Sequence, residues 1–483
     1  MLILSGCTTT VDHDFEQRRA ENMVTDVETL ENSMPTIAFD RPLTLEDVID
    51  LALINNLDLR VRELERLIAD DKAIEAHRKM LPDLQAEYEY HYRNDFEVSD
   101  SYNIDNKTIT QSNTASDWPD GTRGKLELTW DILDFGVSYY RAHQAAMTAE
   151  VFKTRRDRQG QLLALEITEA YWKAALAEDA LDYVKRVFDQ VQAQHRAIED
   201  AMKANQLRPD SAKRVQKQLV DLELSLHNLQ SEIASARFQL TRLMGLNQGS
   251  RFALARDPVR PLLASFPRPS QFDLPSLERY ALFHRPELYE HDFNQEIAQD
   301  EVHATLLSMF PSLKFSFAHN FDNDRLLHHN YWGSAAASLS WNLLSIPAKY
   351  AKFEGDKRGV DLAKLERMKI TQAVVTQVHL AALNYSIAAE RFRLHENAFR
   401  LTDDLLNISI QQRDAGRGSA VQVTRDLLQN MESKLKRDQT VVELIVAHRR
   451  MLASIGMNPR EWHKDIFIEG LAVRNDPLEA AAE

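Results

Sequence analysis

Residues 80–92 read Met-Leu-Pro-Asp-Leu-Gln-Ala-Glu-Tyr-Glu-Tyr-His-Tyr, and the proline at position 82 separates a helical pattern from a strand pattern. A helix cannot continue through Pro82, because proline lacks an amide hydrogen and clashes with the preceding turn. Beyond it, apolar and polar residues alternate without a defect, which predicts an amphipathic strand. Its apolar side carries Leu84, Ala86, Tyr88, Tyr90 and Tyr92.

The same switch recurs after Pro311, 229 residues further on. Later landmarks also return, since Trp130 reappears as Trp341 and Gly245 as Gly456, both at a spacing of 211. A period this long indicates two duplicated halves rather than a solenoid of short repeats. We expect a truncated signal stump, lipobox and tether over 1–42, a first repeat over 43–247, a linker over 248–271, a second repeat over 272–458 and a tail over 459–483.

Each repeat is expected to contain one β-hairpin followed by a very long helical hairpin. The hairpins span 84–133 and 313–343, with a solvated loop over 94–124, and the helical hairpins span 137–244 and 348–455. The first helices end near Lys203 and Asp414, and a helix of about 65 residues is roughly 100 Å long. Apolar spacings of three and four indicate coiled-coil packing. The fold class is therefore mainly α with a small β part.

Composition excludes several classes of protein. The formal net charge of −15 speaks against nucleic-acid binding, which needs clustered Lys and Arg. The 14 Gly and 15 Pro are few for a protein of many turns, which fits long helices. The sequence holds no run of about 18 apolar residues, so it predicts no transmembrane helix.

The single cysteine lies in Leu4-Ser5-Gly6-Cys7, which resembles a bacterial lipobox. The segment from Met1 to Leu4 is too short for a signal peptide, so we interpret it as a stump whose true start lies upstream. Polar residues follow Cys7, as in the tether of a lipoprotein, and we predict that Cys7 carries lipid. The alternative is a chance cysteine near the terminus.

The predicted strands have the length and alternation of transmembrane β-strands. Their partners are expected over 125–133 and 335–343. A soluble sheet lying on a helix layer alternates in the same way and is the alternative. We expect lipid contact at Tyr88, Leu128, Phe317 and Leu339, and water contact at Glu87, Glu89, Glu127 and Asp131. Four strands cannot close a barrel, so several chains would have to pool their strands.

The sequence resembles the TolC-like outer-membrane channels of tripartite efflux pumps and type I secretion systems, over about residues 43–460. The resemblance implies a homotrimer with a twelve-stranded barrel in the outer membrane and an α-helical barrel in the periplasm. It also implies a periplasmic adaptor at the far tips and an inner-membrane transporter beneath. The resemblance depends on Leu-Thr-Leu-Glu-Asp at 43–47, Ala-Leu-Ile-Asn-Asn at 52–56, Met-Leu-Pro at 80–82, Leu-Thr-Trp-Asp-Ile-Leu-Asp-Phe-Gly at 128–136, Glu-Ala-Tyr-Trp at 169–172 and Arg-Leu-Met-Gly-Leu at 242–246.

The resemblance also locates the helix tips and a gate, where this sequence departs from the family. Two positions that are commonly acidic after the second tip turn hold Gln422 and Arg425, and their first-copy equivalents are Ser211 and Arg214. We take these four as gate candidates. Alternatively, Arg425 pairs with Asp210, Asp414 or Asp426 between helices and never faces the pore. The tip turns that would meet the adaptor contain Asn205, Arg208, Gly416, Gly418 and Ser419.

No motif predicts catalysis, a metal or a cofactor. Gly416-Arg417-Gly418 follows no strand, so it does not read as a phosphate loop. His328-His329 has no Cys or carboxylate at ligand spacing. We therefore expect a passive export duct rather than an enzyme. The competing class is a periplasmic coiled-coil scaffold lipoprotein without a pore, which would be soluble once delipidated.

Overall fold

A computed structural model describes residues 15–34, 39, 41–115, 117–203, 209–255 and 259–462. Cys7, Asn205 and Arg208 lie outside these residues. The helices are α1 Phe15–Ser33, α2 Leu45–Asn55, α3 Leu57–Arg78, α4 Ile132–Lys203, α5 Pro209–Leu243, α6 Val259–Ala264, α7 Leu274–His284, α8 Pro286–Leu307, α9 Ile346–Asp414 and α10 Ala420–Ser454. The strands are β1 Asp83–Tyr92, β2 Val98–Asn103, β3 Thr108–Ala115, β4 Asp120–Asp131, β5 Ser312–Asp322 and β6 Tyr331–Ser340.

Helix lengths recur along the chain. α2 and α7 both have 11 residues, α3 and α8 both have 22, and α5 and α10 both have 35. The two longest helices, α4 and α9, have 72 and 69 residues. These paired lengths accord with the internal duplication, which stays our interpretation of the sequence.

The described residues divide into two compact units. One contains residues up to 63 together with 156–286 and 371 onward, and the other contains 64–155 and 287–370. The first unit is helical, and one of its cores draws side chains from four helices, among them Val187 of α4, Leu222 of α5, Leu406 of α9 and Leu427 of α10. The second unit contains both β-sheets.

In the first unit, a turn that contains glycine follows each of the helices α5 and α10. Gly245 follows α5 with φ +64°, and its amide donates to the Arg242 carbonyl while the next amide reaches back to Thr241. This is a Schellman turn, which needs the left-handed conformation that glycine adopts freely. Gly456 ends α10 in the same way.

Buried polar side chains donate hydrogen bonds to backbone carbonyls at the C-terminal ends of α5 and α10. Asn56 donates to the Leu243 carbonyl at 2.9 Å, and the Arg285 guanidinium donates to the Ser454 carbonyl at 2.9 Å. Carbonyls in the last turn of a helix lack helical partners, so each side chain satisfies a group that would otherwise be costly to bury. Sequence reasoning found neither contact, because the partners are 187 and 169 residues apart.

The predicted strand ends were wrong by two to three residues. β4 ends at Asp131 and β6 at Ser340, and the helices after them start at Ile132 and Ile346 instead of beyond Gly136 and Pro347. The reason is a helix cap, since Asp131 Oδ1 accepts from the amides of Leu133 and Asp134 at 3.0 and 3.1 Å.

Two further expectations are corrected. The segment 94–124 is not only a solvated loop, because β2 and β3 form a separate two-stranded sheet within it and β4 begins at Asp120. The tether predicted before residue 42 contains helix α1. None of the described helices holds a window apolar enough to cross a membrane.

We predict that alanine is tolerated very differently at two left-handed glycines. A Cβ at Gly245 would lie 2.3 Å from the Asn55 carbonyl oxygen, whereas a Cβ at Gly416 (φ +69°) would meet nothing within 4 Å. Gly416→Ala should cost the left-handed penalty of about 1–2 kcal/mol. Gly245→Ala should cost about 1–3 kcal/mol more because the backbone must move. Thermal unfolding of both variants in detergent checks this, and equal losses of stability would contradict the packing described for α5.

Candidate functional site

The four-stranded sheet runs in the order β1-β4-β5-β6, with all neighbours antiparallel. Across the sheet, Leu84 lies opposite Leu128, and Leu128 lies opposite Phe317. Phe317 in turn lies opposite Ala335 of β6. Because side chains alternate along each strand, this register puts one apolar row on a single face across all four strands.

That face is uncovered in the single chain. The residues predicted to face lipid are exposed, with fractional exposures of 73% for Tyr88, 39% for Leu128, 56% for Phe317 and 69% for Leu339. A contiguous exposed apolar surface is rare on soluble monomers and marks a surface that contacts protein or membrane.

Exposed aromatic side chains lie toward both ends of this face. Tyr92 and Tyr331 lie toward one end, and Trp130 and Trp341 lie at or just beyond the other, next to the helices. The two rows between them contain mainly leucine and alanine, together with Phe317 and His319. Aromatic residues concentrated toward both ends of an apolar face are the pattern of membrane β-sheets at the two interfaces.

The opposite face is polar and carries mixed charge. Lys125 lies opposite Glu87, and its Nζ is 2.7 Å from Glu127 Oε2. β6 contributes Ser334, Ser338 and Ser340 to the same face. Asp131, predicted to contact water, is half-buried, caps α4 and accepts from the Ser312 hydroxyl.

A cluster of charged side chains links the two loops at one end of the four-stranded sheet. Arg123 Nη2 lies 2.7 Å from Asp117 Oδ2, and its Nε lies 3.0 Å from Asp322 Oδ2. The hydrogen bond from Arg123 lowers the pKa of the Asp117 carboxyl below its usual range. The Trp118 amide donates to Asp324 Oδ2 at 3.1 Å, which ties the first loop to the second.

The second tip turn is defined by its backbone. The Gly416 amide donates to the Arg413 carbonyl at 2.9 Å and the Arg417 amide donates to the Gln412 carbonyl at 2.8 Å, forming another Schellman turn. Ser419 then caps α10, its hydroxyl accepting from the Gln422 amide at 3.2 Å. Gly416, Gly418 and Ser419 are all exposed.

The gate candidates of α10 take part in a small polar network. Asp426 is buried. Its two carboxylate oxygens lie 2.8 and 3.0 Å from the side-chain Nε2 of Gln422, which donates to them, and Oδ2 also accepts from the Ser409 hydroxyl of α9. Arg425 is exposed and lies 3.5 Å from Gln422 Oε1. Asp426 therefore bonds to Gln422 and Ser409, and among the side chains that the structure describes no carboxylate forms an ion pair with Arg425.

The first-copy candidates lie near the start of α5. Ser211 is in its first turn and Arg214 follows with an exposed side chain. A deeper contact, which sequence reasoning missed, links α4 to α10, since the Tyr183 hydroxyl donates to Asn430 Oδ1 at 2.6 Å. Asn430 is buried, and its side-chain amide donates to Asp403 Oδ1 of α9 at 3.4 Å. Its polarity at a core position of α10 was the available signal.

Within the described part of the chain, His, Cys, Asp and Glu side chains form no group of three or more that could hold a metal ion. Among the described residues, those predicted as lipid-facing, gate and tip sites lie on the four-stranded sheet and near the tips of the long helices.

No protein-family model and no curated protein sequence matches the chain. Several solved structures do resemble it. The outer-membrane channel OprN is 15% identical, with 86% of this chain and 90% of that chain covered at a TM-score of 0.66. CusC, described in relation to transmembrane channel formation, is 15% identical, with 87% and 94% covered at 0.70.

The MtrE outer-membrane channel of Neisseria gonorrhoeae is likewise 15% identical, with 86% of this chain and 89% of that chain covered at a TM-score of 0.69. The chain has the TolC-like fold. The expected combination of long helices and a small β part is confirmed at this level.

Proposed function

We propose that this protein is the outer-membrane duct of a tripartite efflux pump or type I secretion system. The observation that carries the proposal is the sheet with one exposed apolar face and one polar face. A soluble scaffold would have to leave that apolar face in water, where exposed apolar area costs about 25 cal/mol per Å². The TolC-like fold and the aromatic levels at both ends of the face add support.

The unpaired edges of this sheet support the homotrimer of this proposal. Within the described residues, β1 and β6 each pair on one side only. An open sheet edge is not tolerated in hydrocarbon, because unpaired amides and carbonyls lose their water. Three copies joined β6 to β1 would close a twelve-stranded barrel with the polar face around a water-filled lumen.

Export through this duct would be passive, driven by an inner-membrane transporter coupled through a periplasmic adaptor. The adaptor would dock at the helix tips, around Gly416, Gly418 and Ser419 and the first-copy turn that contains Asn205 and Arg208. Reconstitution in planar bilayers tests the function itself. The duct should conduct as a detergent-extracted trimer, and a scaffold would remain soluble and give no conductance.

We predict opposite outcomes for arginine at two adjacent alanines of β6. Ala335 lies opposite Phe317 on the apolar face, and Ala336 lies opposite Ser316 on the polar face. Ala335→Arg should destabilise the inserted trimer by about 2–4 kcal/mol, as should Arg at Leu128 or Phe317 of the same middle row. Arg at Tyr88 or Leu339, nearer the two ends of the face, should cost less. Ala336→Arg should cost little because its side chain would reach water.

The measurement is the yield of heat-resistant trimer extracted from outer membranes. Since the two substitutions are chemically identical and one residue apart, local strand propensity cancels in the comparison. Equal loss at both positions would refute the assigned faces.

A second prediction concerns the gate. Threefold symmetry would arrange Arg425 as a ring of three cations, with Arg214 as a second ring. If Arg425 faces the lumen, Arg425→Asp should shift the reversal potential in a salt gradient toward cation selectivity and introduce block by divalent metals. Arg400→Asp is the matched control, because it makes the same charge change in α9, away from the tip turn. It should leave the ion selectivity unchanged. An unchanged reversal potential with intact Arg425→Asp trimers would mean that Arg425 lies between helices and does not face the lumen.

The third prediction concerns anchoring, for which Cys7 is proposed as the lipidated terminus. Metabolic labelling with a clickable fatty acid should mark the protein and should fail for Cys7→Ser. Equal labelling of the two would reject lipidation. Trimer assembly should survive in Cys7→Ser, because the strands supply their own apolar band.

A further inference from the structure

Helix α1 carries an apolar stripe that is exposed among the described residues of its own chain. Apolar residues recur along it at spacings of three and four, and exposures are 54% for Met23, 53% for Val24, 49% for Val27 and 41% for Leu30. Together with Ala20, these residues occupy one side of the helix. Most of the stability of a helix in a protein comes from packing of its apolar face, so a partner for this stripe would stabilise α1.

The charge of α1 argues against a membrane surface as that partner. The helix contains five acidic residues and two arginines. Helices that lie on bilayers usually carry Lys and Arg on the polar face, attracted by anionic lipid. An acidic amphipathic helix fits a protein groove that has an apolar floor and a basic side chain at one end.

Helix α5 presents such a groove on its outer side. It has a volume of about 540 Å³, and its lining includes Ser231, Ala234, Ser235, Phe238 and Arg242. Phe238 is exposed although it is the largest apolar side chain there. The side chains around it are small, and Arg242, whose Nη1 lies 3.9 Å from Asp58 Oδ2, puts an exposed cation at one end of the groove.

The chain between the two surfaces is short. α1 ends at Ser33, and the Phe39 amide already donates to the Arg251 carbonyl at 3.4 Å. Residues 34–38 can span at most about 20 Å. Gln248, which also lines the groove, is three residues from Arg251. The groove is therefore near the point where α1 is tethered, yet groove and stripe are both open in the single chain.

We propose that α1 of one copy docks its apolar stripe into the α5 groove of a second copy. The inference rests on the proposed homotrimer, because a head-to-tail contact of this kind closes into a ring only under cyclic symmetry. Such an exchange would link neighbouring copies outside the sheet and helical barrel. It would also bury Met23, Val27 and Phe238 together.

Photo-crosslinking within mixed trimers tests this. Phe238 is replaced by benzoylphenylalanine, and trimers are assembled from equal amounts of heavy-isotope-labelled and unlabelled chains. Mass spectrometry should find adducts between residue 238 and peptides of α1, with labelled and unlabelled halves joined in the same adduct. Met23→Gln/Val27→Gln should reduce the yield at least about tenfold, since burial of each side chain is lost. Asn22→Gln/Thr25→Gln, on the opposite side of α1, should leave the yield unchanged.

Adducts that join only equally labelled halves would mean docking within one chain and would overturn the proposal. Adducts with lipid, with an unrelated protein or with no partner would overturn it as well. Native mass spectrometry of the same samples distinguishes failure of the α1 exchange from failure of the proposed trimer. Intact trimers without an α1 adduct would reject the exchange alone, whereas absent trimers would reject the proposed duct and the exchange with it.

Discussion

The sheet of β1, β4, β5 and β6 imposes one constraint that a single chain cannot meet. Its apolar face is bare, and its two outer strands each present a row of amides and carbonyls with pairing on one side only. Water tolerates the open edges but not the apolar face, and lipid tolerates the face but not the edges. Closure by further copies of the chain satisfies both demands at once.

The long helices depend on a different set of contacts. In the first unit, left-handed glycines end α5 and α10, and buried Asn56 and Arg285 satisfy the last carbonyls of those helices. The paired use of the same device at both ends agrees with the duplication inferred from sequence spacings. It also explains why a chain with few glycines has them at these turns, where a Cβ would collide with backbone.

Much of this fold could be predicted from local pattern. Pro82 and Pro311 mark the change of period, and the longest helix of the second copy was expected to end near Asp414, where α9 ends. The faces of the strands were predictable because alternation along a strand is strictly local. The β2–β3 hairpin was missed because its Asn, Asp, Ser and Thr residues resemble those of a solvated loop.

What the sequence could not supply were contacts between distant residues. Asp131 was expected to face water, and the sequence did not show that its Oδ1 also accepts hydrogen bonds from the first amides of α4. Asp426 was a candidate partner of Arg425, but Ser409 and Gln422 bind its carboxylate. Such choices depend on which helices become neighbours, and that is decided by packing rather than by spacing in the chain.

Electron cryo-microscopy of the full chain, extracted from outer membranes into lipid nanodiscs, tests the central claim most directly. The account predicts three copies around one axis, with β6 of each paired to β1 of the next and with Tyr88, Phe317 and Leu339 against lipid. A sheet covered by protein and lying outside the bilayer, or a single copy with both edges open, would contradict it.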